Sequence, residues 1–157
     1  MDINLEFVIS NIDQLDNFAN KLSKELTLGD TILLDGDLGS GKTELVKAVG
    51  RHLGVIDEIT SPTYCFLNTY EVNKNFKIYH FDLYRLESED RLSEIGFDEC
   101  GFNPGDGVSF IEWASNFIDC MPKDALRLQF TGQGDSPRII EPASYSERWS
   151  KFLARAK

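Results

Sequence analysis

The sequence predicts the α/β class, with a mixed parallel and antiparallel central sheet flanked by helices. Three observations support this prediction. A short apolar run at residues 31–34 precedes a glycine-rich loop and then apolar residues at helical spacing, as in a β–loop–α unit. Two β-rich regions, 60–86 and 125–142, each contain a turn in the middle and predict antiparallel hairpins. Because no repeat, low-complexity tract or linker interrupts the sequence, we expect one domain over residues 1–157.

Hydrophobic spacing predicts the N-terminal elements. The stretch INLEFVI, residues 3–9, alternates apolar and polar side chains and therefore predicts a strand. A helix follows, with Asn11 or Asp13 as its cap, and we expect Gly29 to end it. Its apolar positions are Ile12, Leu15, Phe18, Leu22 and Leu26. The helix after the glycine-rich loop carries Leu45, Val46, Val49 and Leu53 and is expected to end at Gly54.

The remaining elements are predicted in the same way. The first hairpin turns at VNKN, residues 72–75, and SEDRLSEIGF, residues 88–97, predicts a short helix. VSFIEWAS, residues 108–115, predicts a buried strand, and the second hairpin turns at residues 132–134. We expect a last helix to begin at Ser144. The residues that predict it are the capping-box partner Glu147 and the apolar Trp149, Phe152 and Leu153.

Composition and charge exclude several classes of protein. Sixteen basic against 26 acidic residues give a formal net charge of −10, which disfavours direct binding to nucleic acid. No apolar run approaches the length of a membrane span and the N-terminus, MDINLEF, is acidic, so we expect neither a membrane segment nor a signal peptide. The three cysteines lack metal-type spacing. Reduced thiols in a cytoplasmic protein are therefore expected.

A phosphate-binding loop is the strongest motif. Gly36, four intervening residues and then Gly41, Lys42 and Thr43 fit the pattern G-x-x-x-x-G-K-[ST], between a predicted strand and a predicted helix. Glycines allow the backbone to approach phosphates, and the helix N-terminus directs its free N–H groups toward them. Lys42 is expected to reach the β- and γ-phosphates and the Thr43 hydroxyl to bind Mg²⁺. The predicted nucleotide-binding residues of the loop are Asp37, Leu38, Gly39, Ser40, Gly41, Lys42, Thr43 and Glu44.

Two acidic residues at the ends of predicted strands are candidates for the metal and for catalysis. Asp82 follows the apolar strand of FKIYHFDLYR, and Glu112 ends the apolar strand of VSFIEW. A carboxylate there is costly unless a cation or hydrogen bonds compensate it, although each could simply cap a strand or pair with an arginine. Beside a phosphate-binding loop, we predict a metal site of Thr43, Asp82 and Glu112, with Lys42, Glu112 and Asp82 as catalytic residues.

A third segment, TSPTY at residues 60–64, has the composition of a loop that closes over a nucleotide. Pro62 stiffens the turn, while Ser61 and Thr63 offer hydroxyls to Mg²⁺ and the γ-phosphate, although a plain turn before a strand has the same composition. His80 is the weakest candidate, because a histidine in a strand is usually only hydrogen-bonded there. Trp113, next to Glu112, is expected to be a core residue rather than a contact.

Four motifs in this order, GDLGSGKT, SPTYCFLNTY, HFDLYRL and IEW, resemble the bacterial TsaE (YjeE) family. The resemblance extends from Leu5 to about Glu141. It implies a small P-loop ATPase that is required for making the threonylcarbamoyladenosine of tRNA and that works with the partners TsaB and TsaD. It also implies that Thr63 belongs to a switch-like loop, that Asp82 is the Walker B-type acid, and that Glu112 lies at the metal or the attacking water.

Two alternatives to such an ATPase remain open from the sequence. A small-molecule kinase has a similar length and loop, but it needs several arginines, often on a lid, and the seven arginines here are scattered. A nucleotide-sensing module without significant turnover is the second alternative. ATP is preferred over GTP because no [NT]-K-x-D stretch is present. We expect ATP and Mg²⁺ as cofactors and contact with tRNA only through the partners.

Overall fold

A seven-stranded sheet forms the centre of the computed structural model, which describes residues 5–157. The strands are β1 (Phe7–Ile9), β2 (Thr31–Asp35), β3 (Leu67–Asn73), β4 (Phe76–Asp82), β5 (Gly107–Glu112), β6 (Leu126–Thr131) and β7 (Arg138–Ser144). The helices are α1 (Ile12–Glu25), α2 (Lys42–Leu53), α3 (Phe97–Cys100) and α4 (Glu147–Ala156), with 3₁₀ turns at Glu89–Arg91, Ser93–Ile95 and Ala114–Cys120. Over residues 5–157, no helix is long and apolar enough to cross a membrane.

The sheet has a parallel centre and antiparallel edges. Its strand order is β1-β7-β6-β2-β5-β4-β3. The four inner strands β6, β2, β5 and β4 are parallel, whereas β7, β1 and β3 pair antiparallel. The mixed sheet and both hairpins predicted from the sequence are confirmed. Because parallel strands end at the same edge, Asp35, Asp82 and Glu112, the last residues of β2, β4 and β5, come together there.

Each face of the sheet carries its own apolar core. Alternate strand residues point to opposite faces, so Ile78 of β4 packs under the long helices and Phe81 under the 3₁₀ segments. The first core is closed by buried residues of α1, α2 and α4, including Phe18, Leu22, Leu45, Val49, Trp149 and Phe152. The second is closed by α3 and the 3₁₀ turns, through Leu92, Phe97 and Phe117. Residues at helical spacing thus form the helical layer predicted from the sequence.

Local capping decides where the first two helices begin and end. Of the two predicted caps for α1, the structure uses Asn11, whose Oδ1 accepts a hydrogen bond from the Gln14 N–H at 2.9 Å. The helix ends at Glu25, earlier than the predicted Gly29, because Leu26 adopts an extended backbone conformation. Gly54 ends α2 as predicted, with a φ of 96° that favours glycine.

Three other predicted boundaries were wrong. The last helix does not begin at Ser144, which lies in β7 opposite Arg127 of β6, so α4 starts only after Ser146. The segment 88–97 forms two 3₁₀ turns rather than one helix, and the left-handed Gly96 keeps them from continuing into α3. The strand predicted over 108–115 ends at Glu112, because Trp113 has a φ of 63°. Of the first predicted strand, residues 3 and 4 lie outside the described residues.

The packing of α4 on α1 yields a stability prediction. Phe152 is 3 % exposed, and its ring lies 6.4 Å from that of Phe18 and 5.9 Å from that of Trp149, between centroids. Phe152→Ala should lower the free energy of unfolding by about 3–5 kcal/mol, because it removes buried apolar area and leaves a cavity. Urea denaturation measures this change. Ile56→Ala, at a side chain that is 97 % exposed, is the control and should stay within about 0.5 kcal/mol; similar losses in both variants would contradict the packing described.

Candidate functional site

The loop between β2 and α2, residues 36–41, has the backbone of an anion-binding turn. Gly36, Gly39 and Gly41 have φ values of 149°, 79° and 107°, which side chains rarely allow. Gly41 lies immediately before α2 and so directs the helix N-terminus toward the space inside the loop. At Gly36 a Cβ atom would lie 2.6 Å from the backbone oxygen of Phe130, so only glycine fits against β6. The glycines predicted from the motif thus each have a backbone reason.

Lys42, the first residue of α2, turns back over this loop. Its ammonium donates hydrogen bonds to the backbone oxygens of Gly36 and Asp37, the latter at 3.0 Å. The same atom lies 4.2 Å from the ring centroid of Trp113, a cation–π distance. Burial lowers the pKa of the Lys42 ammonium, and the neighbouring carboxylates, Glu112 first, act in the opposite direction. A buried positive charge therefore lies at the mouth of the loop.

The next residue, Thr43, is hydrogen-bonded to the carboxylate at the end of β5. Its Oγ1 donates to Glu112, with distances of 3.1 and 2.9 Å to the two carboxylate oxygens. The parallel pairing of β2 with β5 sets this contact, because Glu112 lies in register with Leu34, just before the loop. Glu112 is 3 % exposed. The structure thus brings together two of the three predicted metal ligands.

Asp82, the third predicted metal ligand, binds the 60–64 loop. Its Oδ2 accepts hydrogen bonds from Thr63 Oγ1 at 3.0 Å and from Ser61 Oγ at 3.4 Å, and its Oδ1 accepts one from the backbone N–H of Tyr84. Asp82 lies in register with Glu112 on the neighbouring strand. The predicted loop and the two predicted acids therefore form one cluster at the end of the sheet. Within this cluster, the Asp82 carboxylate holds the Thr63 side chain through a hydrogen bond.

His80 is hydrogen-bonded in its strand, as expected, whereas Trp113 has a contact besides the core expected for it. His80 is fully buried, and its Nε2 lies 2.6 Å from Glu112 Oε2, so its hydrogen-bond partner is a candidate catalytic acid. The period-two spacing to Asp82 was the sequence signal for this position. Trp113 does pack against the second core, but its contact with Lys42 and its place beside the loop show that it is not only a core residue.

Two cavities border the loop. The first, of about 430 Å³, is lined by Asp35, Gly36, Asp37, Ser40, Trp113, Ser115 and residues 129–133. The second, of about 390 Å³, is lined by residues 9–12, Gly39, Gly41, Glu44, residues 134–136 and Arg138. Arg138 extends from β7 and donates to the backbone oxygen of Gly39 at 3.2 Å. Sequence reasoning missed this arginine, since only the β6–β7 hairpin brings it to the loop.

Two predicted binding residues lie at the rim of the site. Leu38 is 64 % exposed at the tip of the loop, and Glu44 pairs with Lys47 at 3.2 Å on the outside of α2. Ser40, by contrast, is buried, and its hydroxyl has no hydrogen-bond partner in the described part of the chain. A buried hydroxyl without a partner is unfavourable, so Ser40 indicates a polar ligand inside the loop more strongly than Leu38 or Glu44 does.

The fit of the loop against β6 yields a prediction for Gly36. Gly36→Ala should lower the free energy of unfolding by several kcal/mol, because the new Cβ would collide with the Phe130 backbone oxygen and the Ser40 hydroxyl. Gly39→Ala is the matched control, since it also has positive φ but nothing within 4 Å of its Cβ, and it should cost only about 1–2 kcal/mol. Chemical denaturation of both variants measures the difference; equal losses would show that backbone conformation alone matters at Gly36.

Comparison with known proteins gives a consistent result for sequence and fold. The family model "Threonylcarbamoyl adenosine biosynthesis protein TsaE" matches residues 9–140. A protein of Nostoc sp. named tRNA threonylcarbamoyladenosine biosynthesis protein TsaE is 42 % identical over 141 residues, which is 88 % of this chain and 85 % of the relative. A Bacillus subtilis protein of the same name is 33 % identical over 121 residues, covering 77 % of this chain and 73 % of the relative.

A solved structure agrees with the architecture described above. The crystal structure of Bacillus subtilis YdiB superposes with a TM-score of 0.76 and covers 99 % of this chain and 95 % of its own. At 24 % sequence identity this similarity supports the fold. The family-model match includes the whole loop, both acids and the 60–64 segment, so the resemblance found from the four motifs is confirmed. The chain belongs to the TsaE family of threonylcarbamoyladenosine biosynthesis proteins.

Proposed function

We propose that this protein is a cytoplasmic, Mg²⁺-dependent ATPase that acts in threonylcarbamoyladenosine modification of tRNA, in complex with TsaB- and TsaD-type proteins. The family membership supports the pathway. The observation that supports ATP hydrolysis most strongly is the convergence of Lys42, Thr43 and Glu112 at the N-terminus of α2. Those residues join a phosphate-binding loop to a buried carboxylate, which is the combination that phosphoryl transfer needs.

The residues present fit the triphosphate of ATP. The loop glycines leave room for phosphate oxygens near the backbone, and α2 contributes its positive end. Lys42 supplies a buried cation, and the Ser40 hydroxyl, which has no partner among residues 5–157, supplies a donor inside the loop. Lys42 and the positive end of α2 favour an anionic ligand over a neutral one inside the loop.

The residues also fit Mg²⁺ held jointly with a nucleotide. Among the described residues, no group of three or more His, Cys, Asp and Glu side chains could hold a metal alone. Magnesium in phosphoryl-transfer sites is usually bound by one or two carboxylates, a hydroxyl and phosphate oxygens. Thr43, Glu112 and Asp82 offer that set. A Mg²⁺ ion held by these residues would neutralise negative charge on the phosphates of the nucleotide.

The chain's own residues would then divide the work. Lys42 binds the phosphates, the Thr43 hydroxyl holds the metal, and Glu112 and Asp82 orient the metal or the attacking water. Thr63, through its hydrogen bond to Asp82, ties the 60–64 loop to the acids. This hydrogen bond would let the conformation of the 60–64 loop respond to a nucleotide bound in the site.

The arginines argue against a kinase and for dependence on a partner. Four of the seven are engaged away from the loop: Arg51 with Asp16, Arg91 with Glu94, Arg148 with Asp30 and Arg155 with Glu25. Arg127 is paired with Asp35, which directly precedes the loop. Arg138 bonds backbone oxygens of the β6–β7 loop and Gly39, and Arg85 lies over the ring of Tyr64. No arginine-rich lid is present among residues 5–157. A partner could supply the missing positive charge at the γ-phosphate.

The first functional prediction separates binding from turnover. Lys42→Ala should weaken nucleotide binding, because it removes a charge-assisted phosphate contact worth about 1.5–3 kcal/mol. Glu112→Gln keeps the shape, so it should leave nucleotide binding without Mg²⁺ intact and cost less affinity with Mg²⁺ than Lys42→Ala does, while lowering turnover about 100-fold or more if Glu112 orients the water. Titration with a fluorescent ATP analogue and phosphate-release assays measure the two effects. Equal loss of affinity in both variants would assign Glu112 to metal binding alone.

The second functional prediction concerns the partners. The isolated protein should bind ATP–Mg²⁺ but hydrolyse it slowly, and its TsaB- and TsaD-type partners should raise turnover by at least about tenfold, which is roughly 1.4 kcal/mol of barrier. Steady-state phosphate release, with and without the partners, measures this. Lys42→Ala in the complex is the control for contaminating ATPases. Fast turnover alone that the partners leave unchanged would show a self-sufficient site, and binding without turnover in the complex would favour a nucleotide sensor.

A further inference from the structure

His80 is the buried one of the two histidines and lies beside the proposed metal site. It lies in β4, is 0 % exposed, and its Nε2 approaches Glu112 Oε2 to 2.6 Å. Its other ring nitrogen, Nδ1, is buried and has no hydrogen-bond partner in the described part of the chain. All of the ring's polar interaction is therefore directed at one carboxylate.

Two different elements of the fold supply hydrogen-bond partners to Glu112. Thr43 donates from α2, at the side of the phosphate-binding loop, and His80 donates from the adjacent strand β4. Among residues 5–157, no Lys or Arg side chain forms an ion pair with Glu112. His80 is the side chain in that range that lies within ion-pair distance of it. A buried carboxylate needs donors to remain in place. A nucleotide or metal bound on the Thr43 side of Glu112 would leave the hydrogen bond from His80 intact.

We propose that His80 is a positioning residue, which holds the Glu112 carboxylate in the orientation that serves the metal. This inference rests on the proposed function. A glutamate side chain has three rotatable bonds, so a fixed donor behind it selects one orientation. Hydrogen bonds to ligating carboxylates tune metal affinity in this way, and their loss typically weakens metal binding 10- to 100-fold. His80 itself touches neither phosphate nor metal in this account.

The test uses two substitutions of matched length. His80→Gln places an amide N–H near the position of Nε2, whereas His80→Met fills a similar space without a donor. The measured quantity is the dissociation constant of a fluorescent ATP analogue, once with Mg²⁺ and once with EDTA. His80→Met should reduce the gain in affinity due to Mg²⁺ by about tenfold and leave the affinity in EDTA unchanged. His80→Gln should retain the gain within about threefold.

Three results distinguish the possible failures. An unchanged Mg²⁺ gain in His80→Met overturns the inference but not the proposed function. Equal weakening with Mg²⁺ and EDTA shows a merely structural role and also overturns it. A wild-type protein that binds no nucleotide, or binds it without regard to Mg²⁺, overturns the proposed function and this inference with it.

A second measurement needs no substitution at His80 and so does not depend on variant folding. The sequence has two histidines, and the other, His52, bonds Asp16 on the outside of α2 at 3.0 Å. In ¹⁵N spectra of the imidazoles, His52→Gln therefore assigns the remaining ring to His80. That ring should carry a proton on Nε2, and Glu112→Gln should shift its signal while leaving that of His52 unchanged. A bare Nε2 with the proton on Nδ1, or no response to Glu112→Gln, would overturn the inference.

Discussion

The parallel pairing of β2, β5 and β4 is the constraint on which the rest of the site depends. In this pairing Leu34 lies opposite Glu112, and Glu112 lies opposite Asp82. Because all three strands run in the same direction, the phosphate-binding loop after β2 begins next to the two acids that end β5 and β4. The antiparallel strands at the edges extend the sheet, and β7 reaches the loop through the hydrogen bond from Arg138 to Gly39. A shift of one residue in β5 would turn Glu112 to the opposite face and remove it from Thr43.

Burying carboxylates at this junction is costly, and among residues 5–157 neither Asp82 nor Glu112 forms an ion pair with a lysine or arginine. Asp35, Asp82 and Glu112 are each 3 % exposed. Asp35 pairs with Arg127 at 2.7 Å and accepts from the Ser115 N–H, whereas Asp82 and Glu112 are met mainly by hydroxyls and His80. Lys42 is the nearby cation, and its hydrogen bonds go to backbone oxygens. An excess of negative charge thus faces the side of the loop where a divalent cation would bind, which supports the proposed function.

The sequence predicted the loop, both acids and the α/β class because each depends on local patterns: a fixed motif, an apolar strand ending in a carboxylate, and alternation of strands with helices. It missed Arg138, because the contact with Gly39 joins residues far apart in the chain. It did not predict that His80 would contact Glu112 or that Trp113 would contact Lys42, because burial and neighbours, not residue type, decide these contacts. The boundary errors at Ser144 and at residues 88–97 have a similar origin, because sheet pairing and Gly96 override the local helical signals.

A crystal structure of the protein with a non-hydrolysable ATP analogue and Mg²⁺ tests the central claim most directly. The account predicts phosphates inside the loop of residues 36–41, with the Lys42 ammonium released from the Gly36 and Asp37 oxygens to contact them. It predicts Mg²⁺ bound by the Thr43 hydroxyl, with Glu112 or Asp82 as ligand directly or through one water. A nucleotide bound elsewhere, or a metal that contacts neither carboxylate even through water, would contradict it.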